Sequence, residues 1–549
     1  MDILADMLRS RAVRDWLFSV ALCLPVFAFF GAHYGAELVD PDRIGTGFIQ
    51  YDQPCYMASA REFIDGNHAG FLYALPRERD LVVEPTLVQL HLWWLSWIWR
   101  ATGLDPGWLF NLFGFVFSVL LTRVLLAVLD QCVPLVGGTR RWAHLLFVWG
   151  GGLLCFAGML QGFVNGLRGG ALLHGMFDLD PAGGWWFLNL GRTMLYPNEA
   201  YYHFMVFLAL LLLMRERFLP AVIITLVLVW SHPFAGIGLL SITSVWAVLE
   251  RWYVRNKNIP PWYLAALGCT WVTNAWYMFV WLPRHANATM VDSMRFAWTL
   301  SADAFVPAYI LVGLMALFHL RSPARTWMVL STAPGRLFFV MAVVNFMLEN
   351  HEFAFTPHQP IHFARGYVWA ALFLVGAPWL FQEAWPWLRK RYTRAGVLVA
   401  VALSFVVLSD NLFFFASQIR GQLRATAASY WVTRDGQATL TALEGAVRGN
   451  ELLVSQDFEL AHLAQVYTPC RTYAAHFYDP AERDPILAQQ RAFFEHKEVT
   501  DTLLLGPLLV VNVKDSGLFI PRRPAQTVYE NDSYRVLRVE PLKRPSPAR

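Results

Sequence analysis

The 549-residue chain is 56% hydrophobic and only 15% charged, with 24 Trp, 41 Phe and a formal net charge of +4. Soluble domains carry roughly 25% charged residues, so most of this surface must face something other than water. So small a net charge gives no ground for a nucleic-acid partner, and the six scattered cysteines, with no C-x-x-C pair, define neither a zinc site nor a disulfide framework.

In chain order, Arg9, Arg11 and Arg14 precede an apolar run at 16–34. We read it as a retained first helix rather than a cleaved signal peptide. Further runs approaching the roughly 20 residues of a bilayer crossing lie near 108–131, 142–160, 198–214, 261–283, 304–320, 336–349, 366–387 and 395–417. The stretch 219–250 is too long for one comfortable crossing and too short for two full ones. The positive-inside rule decides its parity. If it turns at "SHPF" as a hairpin of two short helices, the basic clusters at 139–141, 215–217, 251–257, 321–325 and 389–394 all fall on the side of the N-terminal arginines. A single crossing would put three of them outside.

The expectation is a mainly α, polytopic protein of the cell inner (plasma) membrane, with about eleven helical segments, a cytoplasmic N-terminus and an extracytoplasmic C-terminus. Residues 1–417 form the transmembrane domain, including a long first outside loop at 35–107. The remaining outside loops are 161–197, 284–303 and 350–365. Loops as long as the first are uncommon without a function. Residues 418–549 form an outside α/β domain: "QATLTALEGAVRG" and "AERDPILAQQRAFFEHKEV" are helix-like, while "ELLVS", "TLLLGPLLVVNV" and "SYRVLRVE" are strand-like. The sequon Asn287-Ala-Thr faces outside in this scheme.

The stretch "YDQPCYMASAREF" (51–63) opens as a helix with Asp52 as N-cap and Pro54 in the first turn. Tyr56, Ala60 and Phe63 then share a face. On its own it reads as a surface helix with a snorkelling arginine. It is followed by "EPTLVQLHLWWLSWIWRATGL" (84–104) and then by an apolar span.

That order resembles the first outside loop of the GT-C membrane glycosyltransferases, of the aminoarabinose and mannosyl transferase type, whose pattern is D-E-x-x-Y-x-x-x-A-R-E. Asp52, Tyr56, Ala60, Arg61 and Glu62 match it. Gln53 replaces the second acid, and "EPT" (84–86) stands where the family often has a double proline. The "SHPF" hairpin and the closing "YENDSYRVLRV" resemble further parts of those enzymes. The resemblance implies sugar transfer from a polyprenyl-phosphate-linked donor to a lipid or glycan acceptor, among membrane lipids, with Asp52 as general base and Tyr56 and Arg61 at the substrate.

Such chemistry needs a base, a cationic partner for the departing phosphate, and an apolar groove. A free aspartate is ionised at neutral pH. The outside cations are few: Arg192 in "LGRTMLYPNEAYY", and Arg365 in "TPHQPIHFARGY" with His358, His362 and Tyr367 around it. Each arginine is either a phosphate contact or an interface anchor. Glu199, beside Asn198 at the mouth of its span, is a candidate substrate contact, because an acid there is costly unless it lines a cavity. The spacing of His358 and His362 fits a metal site, but Pro360 intervenes and no Glu is suitably placed, so no metal ligand is assigned. Asp178 and Asp180 are a possible divalent-metal pair, or merely a turn before Pro181. His232 is read as a structural cap at the hairpin turn. A transporter or flippase, or a non-catalytic protein of the same fold, is the alternative.

Overall fold

The computed structural model describes residues 10–65, 72–73, 87–285, 298–426, 429–449, 451–474, 480–517 and 519–542. Helices occupy every apolar segment expected from the sequence. Among the described residues five are long and apolar enough to cross a membrane, and up to eight spans result if each of three bent pairs counts once. The chain is a multi-pass membrane protein.

The bends have local causes. Arg11–Leu22 meets Leu24–Leu38 at 45° beside Pro25, and Gly137–Trp149 meets Leu154–Val164 at 52° across the run Gly150–Gly152. The segments short of a full span are Phe218–Ser231, Pro261–Trp276 and Tyr367–Pro378. The last two continue into π-helical turns, Tyr277–Trp281 and Trp379–Ala384. The 219–250 stretch folds as two helices, Phe218–Ser231 and Pro233–Val248, that meet at His232 and pack on one another. A Cβ on Gly236 would lie 2.3 Å from the Val229 Cα, so this turn requires a glycine there.

The chain groups into two compact units. One comprises Met1–Phe29, Phe113–Val280 and Met294–Gln418; the other comprises Phe30–Leu112, Trp281–Ser293 and Ile419–Arg549. The first unit is helical. Its apolar interior is crossed by buried ionic ties, such as Arg140, which donates to both Asp15 (2.7 and 3.0 Å) and Asp130 (2.7 Å, twice).

The second unit contains a five-stranded mixed sheet in the order Arg471–Thr472, Leu452–Ser455, Leu508–Val513, Tyr534–Val539, Ala525–Glu530. The first three strands are parallel and the last two pair antiparallel. Its core holds Leu452, Val454, Leu508, Val510, Leu537 and Val539. Helices Arg434–Ala446 and Pro480–Phe494 lie where the sequence placed them; helix Phe458–Tyr467 and strand Ala525–Glu530 went unread. The first-loop residues belong to this unit: Arg43–Gly45 pairs antiparallel with Trp431–Thr433, and helix Asp52–Ile64 packs on Phe458–Tyr467 and Leu90–Thr102.

Candidate functional site: an arginine in an aromatic box

Arg365 ends the loop between helices Ala333–Glu349 and Tyr367–Pro378. The loop turns into the second helix through Gly366, whose φ of +73° suits glycine. A Cβ there would stand 3.0 Å from the Asn189 carbonyl carbon, so the backbone passes close beneath the Asn189 loop. This places the Arg365 side chain inside, where the residue is only 5% exposed.

Three aromatic rings surround its guanidinium: Trp186 and Phe187 at 5.4 Å and Phe234 at 6.0 Å. Nη1 is ion-paired with Glu199, in the first turn of Pro197–Met214, where a carboxylate also suits the helix dipole. The same nitrogen lies 2.9 Å from His232 Nε2, and Nη2 donates to His362 Nδ1. His232 does cap the hairpin turn, its Nδ1 accepting from the Ala235 N–H at 3.2 Å, but its other nitrogen faces this site. Tyr202 stacks on its ring at 4.2 Å.

Among the described residues Arg365 Nε, His362 Nε2, Glu199 Oε2 and the Tyr367 hydroxyl are buried without a hydrogen-bond partner. Leaving such groups unpaired costs about 1–3 kcal/mol each. Burial, reinforced by the charge of Arg365, holds His362 well below its ordinary pKa, so its ring is neutral. With Nδ1 accepting from Arg365, the ring proton sits on the orphaned Nε2. An N–H of Arg365, an N–H of His362 and a low-dielectric aromatic wall together suit an anion with several oxygen acceptors.

Three sequence candidates, Glu199, His362 and Arg365, thus share one cluster. The others lie elsewhere. Arg192, 1% exposed, is spent on the protein. It donates to Asp180 (2.5 Å), the Gly184 carbonyl (2.8 Å), Asn411 (3.0 Å) and the Asp410 carbonyl (3.0 Å), with the Phe414 ring 4.5 Å away. Four of its donors are thus committed to the protein. Asp180 is buried on Arg192 while Asp178 is exposed, so the acidic pair does not converge, and no group of three metal-ligating side chains occurs among the described residues. Burial pushes the Asp180 carboxyl up to about 6 against the pull of Arg192. His358 is exposed and engages Thr356 and His351, apart from the Arg365 contacts.

In the second unit Asp52 is the first helical residue, with Tyr51 at the cap position and no side-chain cap. It is therefore not the expected N-cap: its Oδ2 accepts from Gln50 Nε2 at 3.1 Å, while Gln50 Oε1 takes the Asp52 N–H. Tyr56 meets Phe110, ring centroids 6.4 Å apart. Arg61 reaches Asp65 (3.4 Å), Glu444 (3.6 Å), the Val466 carbonyl (3.4 Å) and the Trp99 ring (5.9 Å), so it ties its helix to its neighbours in the unit. The "EPT" segment and the Asn287 sequon lie outside the described residues.

His203 was missed, though an acid and a histidine four residues apart inside an apolar helix is a visible signal. Its ring is fully buried, and its nitrogens lie 2.8 Å from the Glu199 carbonyl oxygen and 2.6 Å from that of Arg365.

Solved proteins align along nearly the whole chain. ArnT from Cupriavidus metallidurans bound to undecaprenyl phosphate aligns at 12% identity over 96% of this chain and 98% of its own, with a TM-score of 0.46. Its apo state aligns at 13% identity, with the same coverage and a TM-score of 0.47. The archaeal oligosaccharyltransferase AglB from Archaeoglobus fulgidus, in complex with an inhibitory peptide and a dolichol-phosphate, aligns at 11% identity over 91% of this chain and 70% of its own, TM-score 0.43. No family model matches the chain, and no curated protein matches it in sequence.

Proposed function

We propose that the chain is a membrane glycosyltransferase that moves a sugar from a polyprenyl-phosphate donor to an acceptor hydroxyl at the outer face of the inner (plasma) membrane. The observation that carries this reading is the buried Arg365 guanidinium, walled by aromatic rings, with its Nε and the neighbouring His362 Nε2 unpartnered. It is a site for an anion that enters from an apolar medium, which describes the phosphate of a lipid.

In the reaction the bond between the sugar C1 and the phosphate oxygen breaks, a bond from C1 to the acceptor oxygen forms, and the acceptor loses its proton. Arg365 meets the negative charge that grows on the leaving phosphate, donating through Nε and its remaining Nη2 hydrogen, with His362 Nε2 as a further donor. Glu199 holds the guanidinium in place and neutralises it while the site is empty. Asp52 keeps the role of general base that its loop pattern implies, on a helix held by Tyr56 and Arg61. In this scheme the N-terminus is cytoplasmic and the C-terminal α/β region extracytoplasmic.

The test is a transfer assay on lipid extracts comparing the wild type with Asp52→Asn. Asn matches Asp in shape and removes only the basicity. Transfer falls by roughly two to four orders of magnitude at normal protein level if Asp52 is the base. A normally abundant, fully active variant removes that role.

A further inference from the structure

His203 stands one helical turn after Glu199, with its ring sealed from solvent. Both of its nitrogens face backbone carbonyl oxygens: Nδ1 that of Glu199 at 2.8 Å and Nε2 that of Arg365 at 2.6 Å. A carbonyl oxygen only accepts, and a neutral imidazole has one N–H to give. In a neutral ring one of these contacts would set lone pair against lone pair; in the imidazolium both are hydrogen bonds.

The surroundings suit a cation. Glu199 on the same helix brings its Oε2, otherwise unpartnered, to 3.6 Å from Nδ1. The Tyr367 ring, from helix Tyr367–Pro378, lies nearly parallel at a centroid distance of 4.6 Å. Arg365, from the loop before that helix, is the opposing charge. A protonated His203 would give Glu199 two cations to serve, the guanidinium through Oε1 and the imidazolium through Oε2. One carboxylate cannot balance both, and an uncompensated buried charge is costly. An anion on the open N–H groups of Arg365 supplies what is missing.

We infer that His203 is a positioning residue that takes up a proton as a phosphate binds at Arg365, its imidazolium tying the Arg365 backbone to the Glu199 helix. Anion binding and protonation then strengthen one another by equal factors. The inference rests on the lipid-phosphate reading of the site.

Calorimetric titration of the purified full chain in detergent with undecaprenyl phosphate, in two buffers of different ionisation enthalpy, measures the protons taken up per ligand bound. The expected result is about one proton near neutral pH, with affinity falling up to about tenfold per pH unit as the pH rises. A phosphate monoester has its own ionisation near pH 6, so the comparison with His203→Gln, which retains a donor for one carbonyl, decides the origin. In that variant ligand still binds, the extra proton is gone and the pH profile flattens. Uptake that persists in His203→Gln belongs to the ligand or to another histidine on Arg365 and overturns the inference, as does wild-type binding without uptake. Absence of wild-type binding removes the lipid-phosphate reading itself. If His203→Gln does not fold, the wild type, His362→Asn and His232→Asn are titrated with a dodecyl sulfate ester, which has no ionisation near neutral pH: uptake retained in both variants supports the inference, and uptake absent from the wild type or lost with either histidine overturns it.

Discussion

The carboxylate of Glu199 pairs with the guanidinium of Arg365, 166 positions further along the chain, inside a box of aromatic rings. Each group is buried, and each keeps a polar atom with no hydrogen-bond partner among the described residues. The pair therefore keeps hydrogen-bonding capacity in reserve.

The first prediction follows from that pairing. Glu199→Gln removes the charge that Arg365 leans on and keeps the shape. Breaking a buried pair costs about 3–5 kcal/mol, so the thermal transition in detergent drops. The same change removes the carboxylate that competes with an anion, so added phosphate or lipid phosphate raises the transition by more than in the wild type. An equal shift in both proteins would show that Glu199 does not compete for the arginine.

Arg192 separates the two arginines experimentally. With its bonds to Asp180, Gly184, Asn411 and Asp410, Arg192→Met leaves a buried carboxylate unpaired and loses about 3–5 kcal/mol of stability. The expected outcome is low protein yield and a lowered thermal transition, with anion binding by the surviving folded protein intact. A stable Arg192→Met protein that fails to bind anion would restore the phosphate role to this residue.

The sequence reading and the structure agree where physics is local. Apolar runs and the Pro233 turn each carry their meaning within one segment, and the helices lie where those signals put them. Arg192 and Arg365 look alike in sequence, because both end a polar loop before an apolar run. Their different surroundings come from distant segments, Asp410 and Asn411 for one and Glu199 and His232 for the other. Asp52 resembled a helix cap because Pro54 follows it closely, but the helix begins at Asp52 itself and Gln50 takes the side chain. His203 was legible only through its spacing of four from Glu199; its partner carbonyl on Arg365 comes from a distant segment.

His362 gives a prediction in pH. Its folded-state pKa is depressed, chiefly by burial and then by Arg365. Below about 6.5 the unfolded chain binds a proton that the folded ring refuses, so this group's contribution to stability is full above that pH and is lost as the pH falls. The slope is at most about 1.4 kcal/mol per pH unit. Thermal transitions recorded between pH 7.5 and 5 should fall less in His362→Asn than in the wild type. Identical pH dependence in both would place the neutral-ring assignment in error.

Topology is testable by cysteine-accessibility labelling in intact cells. The proposed orientation puts Gly137 and Lys390 inside and Asp178, Asp303 and Gln437 outside, each position substituted by cysteine in turn. Labelling of position 390 by an impermeant reagent would break the positive-inside argument for the hairpin at His232.

The most direct test of the account follows free polyprenyl phosphate, the leaving group itself, released by the purified chain from a polyprenyl-phosphate-sugar donor in the presence of membrane acceptor. The wild type is expected to release it together with glycosylated acceptor. Loss of one such stabilising contact costs about 3 kcal/mol, so Arg365→Lys, which replaces a planar fork by a point charge, should release it about a hundredfold more slowly. Release by Arg365→Lys and Arg365→Ala at the wild-type rate would contradict the account.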